Sequence, residues 1–186
     1  EMASENLLIR RQGKGTFVAS HDDPRSFYRF LRLVPDDGIP AHAVSVPLSC
    51  STREAGPEAA AALGIAVGEP VIYVERLLRF NGETVVFDQI HLVTDLFAGL
   101  TLESLSGGDR SLYSLFENTY GVRMIHAEEH LRAVAADPYS AGLLGVQPGA
   151  PLLLVERTAY TYGNKPVEWR RGLYCTNRHY YRNDLG

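Results

Sequence analysis

Arg76 stands in the run Val-Ile-Tyr-Val-Glu-Arg-Leu-Leu-Arg-Phe, with valine, leucine and glutamate as its nearest neighbours. A guanidinium in such company is desolvated unless it meets an anion, because an unpaired buried charge costs several kcal/mol. Its planar fork suits a carboxylate or a phosphate, supplied by the protein or by a ligand. Asp88 and Glu156 are the internal candidates. Asp88 lies in Thr-Val-Val-Phe-Asp-Gln-Ile, among apolar residues, and needs a hydrogen-bond donor of its own: Arg76, or the hydroxyl or amine of a ligand. Ser111 precedes a helical pattern, where its hydroxyl either caps the helix or joins free backbone N–H groups in an anion site. Tyr113 either walls a pocket or fills core, and Glu156 shares a strand parity with Tyr160 and Tyr162.

Other chemistries fail on spacing. The six histidines are scattered, and His126 and His130 fall in a strand-like run with no carboxylate at zinc-site spacing, so no metal is expected. No Gly-x-Ser-x-Gly elbow occurs. Gly13-Lys14-Gly15 lacks the spacing and following helix of a phosphate loop. No cofactor is implied. Net charge is −4, wrong for a domain that grips nucleic acid over its whole surface. No apolar run reaches the ~18 residues that span a bilayer. Cys50 and Cys175 lack metal-site company and read as reduced thiols of a cytoplasmic protein.

The elements that position these groups are legible. Val71–Phe80 and Glu83–Val93 flank Asn81-Gly82, a pair that accepts the positive φ angles of a tight primed turn. Leu152–Tyr162 and Val167–Tyr174 flank Gly163–Pro166 in the same manner. Two long hairpins imply one antiparallel sheet whose faces the helices cover. Pro57 opens a helix that Gly64 stops, Ser111 caps 112–120 with Gly121 ending it, and Asp137 with Pro138 starts a helix running to Leu144. Ser26–Val34 and Ala43–Leu48 read as strands able to pair with each other, and Val122–Val134 as another strand. Asp95–Leu100 reads as a helical turn. An internal repeat is visible: Ala62–Val71 parallels Leu143–Leu152 about 81 residues on, each a helix ending in Leu-Gly and a Gly-x-Pro loop feeding a hairpin. A pseudo-symmetric domain follows.

At the N-terminus, Leu7–Val18 reads as a small hairpin with a cationic turn. The stretch Arg-Arg-Gln-Gly-Lys-Gly-Thr-Phe-Val (10–18) resembles the wing of a GntR-type winged helix, in which Arg10, Arg11 and Lys14 contact DNA phosphates. Along about residues 25–184 the chain resembles the UTRA domain of the HutC branch of that family. The matching pieces are Glu75-Arg76, Ser111-Leu112-Tyr113 with Tyr120-Gly121, Ala127-Glu128-Glu129, Leu144-Gly145-Val146 with Gly149-x-Pro151, Val155-Glu156-Arg157 and Lys165-Pro166-Val167-Glu168.

The resemblance implies an α+β fold of the chorismate-lyase type, an antiparallel sheet with helices packed around it and a small-molecule cleft. It divides the chain into a wing remnant (1–18), a linker (19–25) and an effector-binding domain (26–186). It implies a cytoplasmic homodimer, joined through sheet edges or the helix at 112–120, that binds a metabolite effector and reaches operator DNA only through the winged helix of a full-length regulator. It implies no membrane partner and no catalysis, although a lyase on the same fold is the alternative. Phe27, Arg76, Asp88, Ser111, Tyr113, Glu156, Tyr162, Glu168 and Arg178 are then the expected effector contacts. The family often carries a second arginine two residues beyond the first. This chain has Leu78 there, which argues against a doubly charged phosphate group and leaves a carboxylate or a mostly neutral metabolite.

Overall fold

The computed structural model describes residues 31–39, 43–106 and 111–183, together with the backbone of 8–11 and 15–18. Six strands form the central antiparallel sheet: β4 (Ala43–Glu54), β5 (Pro70–Phe80), β6 (Glu83–Val93), β7 (His126–Ala135), β8 (Pro151–Thr161) and β9 (Lys165–Tyr174), in the order β4-β5-β6-β9-β8-β7. At the β5–β6 turn Asn81 and Gly82 take φ of 51° and 85°, the conformation their types predict. The β8–β9 connection uses Gly163 at 70° and Asn164 at 57°.

The two halves of this sheet repeat one another. Each is a long strand, a short helix and a hairpin: β4, α1 (Pro57–Leu63), β5 and β6; then β7, α4 (Pro138–Leu144), β8 and β9. Local hydrogen bonds recur at the repeat spacing. Ala55 N–H donates to the Glu69 carbonyl and Gly68 N–H to the Ala55 carbonyl; Ala136 N–H donates to Ala150 and Gly149 N–H to Ala136. Gly64 and Gly145, which end the two helices, both take φ of 66°. The halves join where β6 pairs with β9.

Alternation gives the sheet two different faces. Leu77, Phe87 and Leu152 pack under α4, and Val71 and Trp169 under α1; this is the back. The front carries α2 (Leu102–Leu105) and α3 (Leu112–Tyr120). Tyr113 and Phe116 of α3 pack with Ile72, Val74, Ile90 and Leu92 in one apolar cluster. A second front cluster, Leu78, Val86, Val155 and Tyr174, lies under a ribbon formed by β3 (Leu33–Pro35) and β10 (His179–Tyr181).

That ribbon corrects one expectation. The strand ending near Val34 pairs with the chain's last strand and not with 43–48; its described part begins only at Leu33. β4 instead extends to Glu54 and pairs along all of β5. Strand pairing across some 145 residues leaves no local signal, whereas a hairpin does. β7 begins at His126, four residues later than expected. The turn after β6 is a single 3₁₀ turn, Thr94–Leu96. At the N-terminus the backbone forms the expected small hairpin, β1 (Leu8–Arg11) paired with β2 (Gly15–Val18). The side chains of Arg10 and Arg11, and Lys14 and the 19–25 linker altogether, lie outside the described residues. Cys50, on the front, and Cys175, on the back, are both free thiols.

Candidate functional site

Between the two apolar clusters of the front, a row of charged side chains crosses the middle of the sheet. β5 brings Arg76, β6 Asp88, β8 Arg157, β9 Glu168 and Arg170, and β7 Glu129. In register, Arg76 faces Asp88, Asp88 faces Gly172, and Arg170 faces both Ile90 and Arg157. Parity puts them all on one side, and their apolar neighbours along each strand bury them. Asp88 and Glu168 are fully buried, Arg157 is 2% exposed, Arg170 5% and Arg76 7%.

The pairing is dense. Arg76 donates from Nε to Asp88 Oδ2 at 2.9 Å, with Nη2 2.8 Å from the same oxygen. Arg170 Nη1 lies 3.3 Å from that oxygen, and its Nη2 lies 2.9 Å from Glu168 Oε1. The Tyr113 hydroxyl, reaching down from the first turn of α3, donates to Glu168 Oε1 at 3.0 Å. Arg157 Nε donates to Glu129 Oε1 at 2.7 Å, and the Tyr181 hydroxyl of the ribbon also donates to Glu129. Among the described residues, three side-chain atoms of the row are buried and meet no partner: Asp88 Oδ1, Glu168 Oε2 and Arg170 Nε.

Burial and charge act unequally on these groups. Desolvation lowers the pKa of Arg76, helped by repulsion from Arg170 and opposed by Asp88 and, more weakly, Glu168. Arg170 is desolvated as well, but the carboxylates of Glu168 and Asp88 outweigh that and raise its pKa. Burial pushes the Tyr113 phenol up, with Glu168 adding to the effect, so it is a neutral donor. Burial likewise pushes Tyr174 up to about 12.

The nine expected contacts divide. Arg76, Asp88, Tyr113 and Glu168 come together in the row. Ser111 sits at the start of α3 next to Tyr113, and its hydroxyl oxygen accepts from Ser114 N–H at 3.0 Å, the ordinary capping bond. Glu156 does not join them. It lies on the back of the sheet, 3.6 Å from both Arg132 and Arg171, and so Arg76 pairs with Asp88 alone of its two candidates. Tyr162 is 59% exposed in the β8–β9 turn, and Arg178 is exposed beside Glu83 at 3.5 Å, after β9. Phe27 lies outside the described residues.

The sequence reading missed Arg157, Arg170 and Glu129. A signal was available: Val74-Glu75-Arg76 and Val155-Glu156-Arg157 are the same tripeptide at the repeat spacing. Adjacent strand residues face opposite ways, so if Arg76 points forward then Arg157, and not Glu156, must do so too.

Residues 42–180 match the model of the UTRA domain. The chain belongs to the UTRA family. Among solved structures, the ligand-binding domain of a protein described as a GntR-family transcriptional regulator, from Bordetella bronchiseptica, superposes with a TM-score of 0.82 at 49% identity, covering 86% of this chain and 99% of that one. The HTH-type transcriptional regulator YurK of Bacillus subtilis is 28% identical over 96% of this chain and 73% of its own length. The histidine utilization repressor of Pseudomonas putida is 24% identical over 96% of this chain and 71% of its own length. Among such relatives the chain spans 61 to 73% of the full protein. The chain therefore carries the effector-binding domain of GntR-type transcription regulators of the HutC branch. Among the described residues no helix is long and apolar enough to cross a membrane.

Proposed function

We propose that the buried row on the front of the sheet is the effector site, with Arg76, Asp88, Tyr113, Glu168 and Arg170 as its contacts and Ser111 at its rim. The observation that carries this reading is a cluster of buried charges in which three polar atoms lack partners among the described residues. A core selected for stability alone is served as well by apolar side chains, which avoid the desolvation penalty. Perturbed charges gathered at one place mark functional sites more often than random interior. Ser111 and Tyr113 bring the start of α3 to the row, so an occupied site ties that helix to both halves of the sheet.

On this reading the domain binds and does not catalyse. The effector shifts the population of two arrangements of a cytoplasmic homodimer, and a winged helix elsewhere in the full-length regulator reads the operator. The exposed edge strands β4 and β7 are the surfaces we assign to dimer contact. The lyase alternative draws on fold alone, and fold does not carry function.

A thermal-shift screen of this chain against a metabolite library tests the proposal. A ligand at 100 times its dissociation constant adds about 2.7 kcal/mol to stability. Arg76→Ala leaves Asp88 still paired with Arg170, so the variant is expected to fold, and it should lose that increment. A stabilisation that survives Arg76→Ala places the site elsewhere.

A further inference from the structure

Resting on the effector reading above, we infer that the effector presents hydrogen-bond donors, hydroxyl or ammonium, to Asp88 and Glu168, and that it carries no phosphate. Asp88 Oδ1 and Glu168 Oε2 are two of the three partnerless atoms in the row, and carboxylate oxygens can only accept. A buried acceptor left unmet is destabilising, and a ligand's donors recover that loss on binding. Both carboxylates already hold the two ends of one guanidinium, Asp88 on Arg170 Nη1 and Glu168 on Arg170 Nη2. The two unmet oxygens therefore belong to carboxylates that share one guanidinium, and one small polyol or amino alcohol can address both. The third partnerless atom, Arg170 Nε, offers one donor to an ether or hydroxyl oxygen of the same molecule.

Charge points the same way. Arg76, Arg157 and Arg170 face Asp88, Glu129 and Glu168, three cations against three carboxyl groups. A phosphate brings about −1.5 to −2 and finds no uncompensated cation in the row among the described residues. The front-facing position two residues beyond Arg76 is Leu78, buried in the second apolar cluster, so β5 supplies no further charge there. A phosphate entering beside Asp88 and Glu168 meets the lone pairs of two buried carboxylates.

Glucose, glucosamine and glucose 6-phosphate serve as matched probes within a wider library of amines, polyols, carboxylates and phosphate esters, read by calorimetry and thermal shift on wild type, Arg76→Ala, Asp88→Asn and Glu168→Gln. Glu168→Gln keeps one acceptor oxygen for Tyr113 and Arg170, and so serves if Asp88→Asn fails to fold. Compounds whose binding Arg76→Ala abolishes are expected to be amines or polyols. They should lose at least tenfold in affinity in either carboxamide variant, while the phosphate ester of the same skeleton binds at least tenfold more weakly than its parent in wild type. A larger loss for amines than for polyols in the carboxamide variants identifies ammonium as the donor; equal losses identify hydroxyl. If the compounds lost in Arg76→Ala are phosphate esters or dicarboxylates, the inference is overturned and the effector site stands. If binding is indifferent to Arg76→Ala, the site reading falls and takes the inference with it.

Discussion

Gly172 has no side chain, and the row is built on that fact. It sits on β9 opposite both Asp88 and Val155, in the middle of the sheet. A Cβ there would lie 2.5 Å from Tyr174 Cε1 and 2.8 Å from Asp88 Oδ1, closer than side-chain carbons come to either. The glycine is demanded by close approach, the other reason a strand keeps one besides a bulge. Gly172→Ala must push the Tyr174 ring or the Asp88 carboxylate aside, and overpacking of that kind costs about 1–3 kcal/mol. We expect the variant to unfold at lower denaturant and to lose most of its response to any compound that Arg76 binds. Wild-type stability together with a wild-type response would show that Asp88 is not held where Gly172 leaves room for it. Nothing in Trp-Arg-Arg-Gly-Leu-Tyr announces this role, because the atoms that crowd the position come from β6 and from two residues further along β9.

Elements whose causes are local were legible, and those whose causes are distant were not. Asn81-Gly82, Gly64, Gly121, Gly145 and the capping residues Ser111 and Asp137 each act within a few residues, and each does what its type predicts. The pairing of β3 with β10 needed knowledge of both chain ends. Arg157 falls between these cases: the repeat held the information, but where Glu156 and Arg157 stand side by side in a strand the pair can be read one residue out of step, and a single step exchanges the faces. The cap of α4 gives a prediction at this scale. Asp137 accepts from Tyr139 N–H at 2.9 Å and Ser140 N–H at 3.0 Å, and bonds from Ser140 above all hold its carboxyl below the usual range. A carboxylate whose folded pKa is depressed contributes stability above its unfolded pKa and loses it as pH falls through the folded value. Asp137→Ala should cost about 1 kcal/mol at neutral pH, and the gap to wild type should narrow below about pH 4. Urea titrations at the two pH values measure it; a gap that does not change with pH would mean the carboxylate's charge is irrelevant to the cap.

The whole domain is an interlock of its two halves. α1, which belongs to the first half, packs on β9 of the second, where Trp169 meets Ala59, Ala60 and Leu63. α4, from the second half, packs on β6 of the first through Phe87. The charged row does the same with ions, since Asp88 is shared between Arg76 of one half and Arg170 of the other. Each half completes the cover of its helix face only on the other, and Asp88 is held from both, so the repeat does not yield two units that fold separately. We expect one cooperative transition. Trp169 is the only tryptophan, and its fluorescence reports the α1–β9 contact, whereas far-ultraviolet circular dichroism reports all strands together. The two curves should coincide in urea, and residues 43–106 expressed alone should lack the dispersed amide spectrum of a folded sheet. Separated curves, or a folded half, would mean that the seam between β6 and β9 is a joint between independent units. An effector held on both sides of that seam should then move the two transitions by different amounts; in the interlocked domain it can only raise the one midpoint.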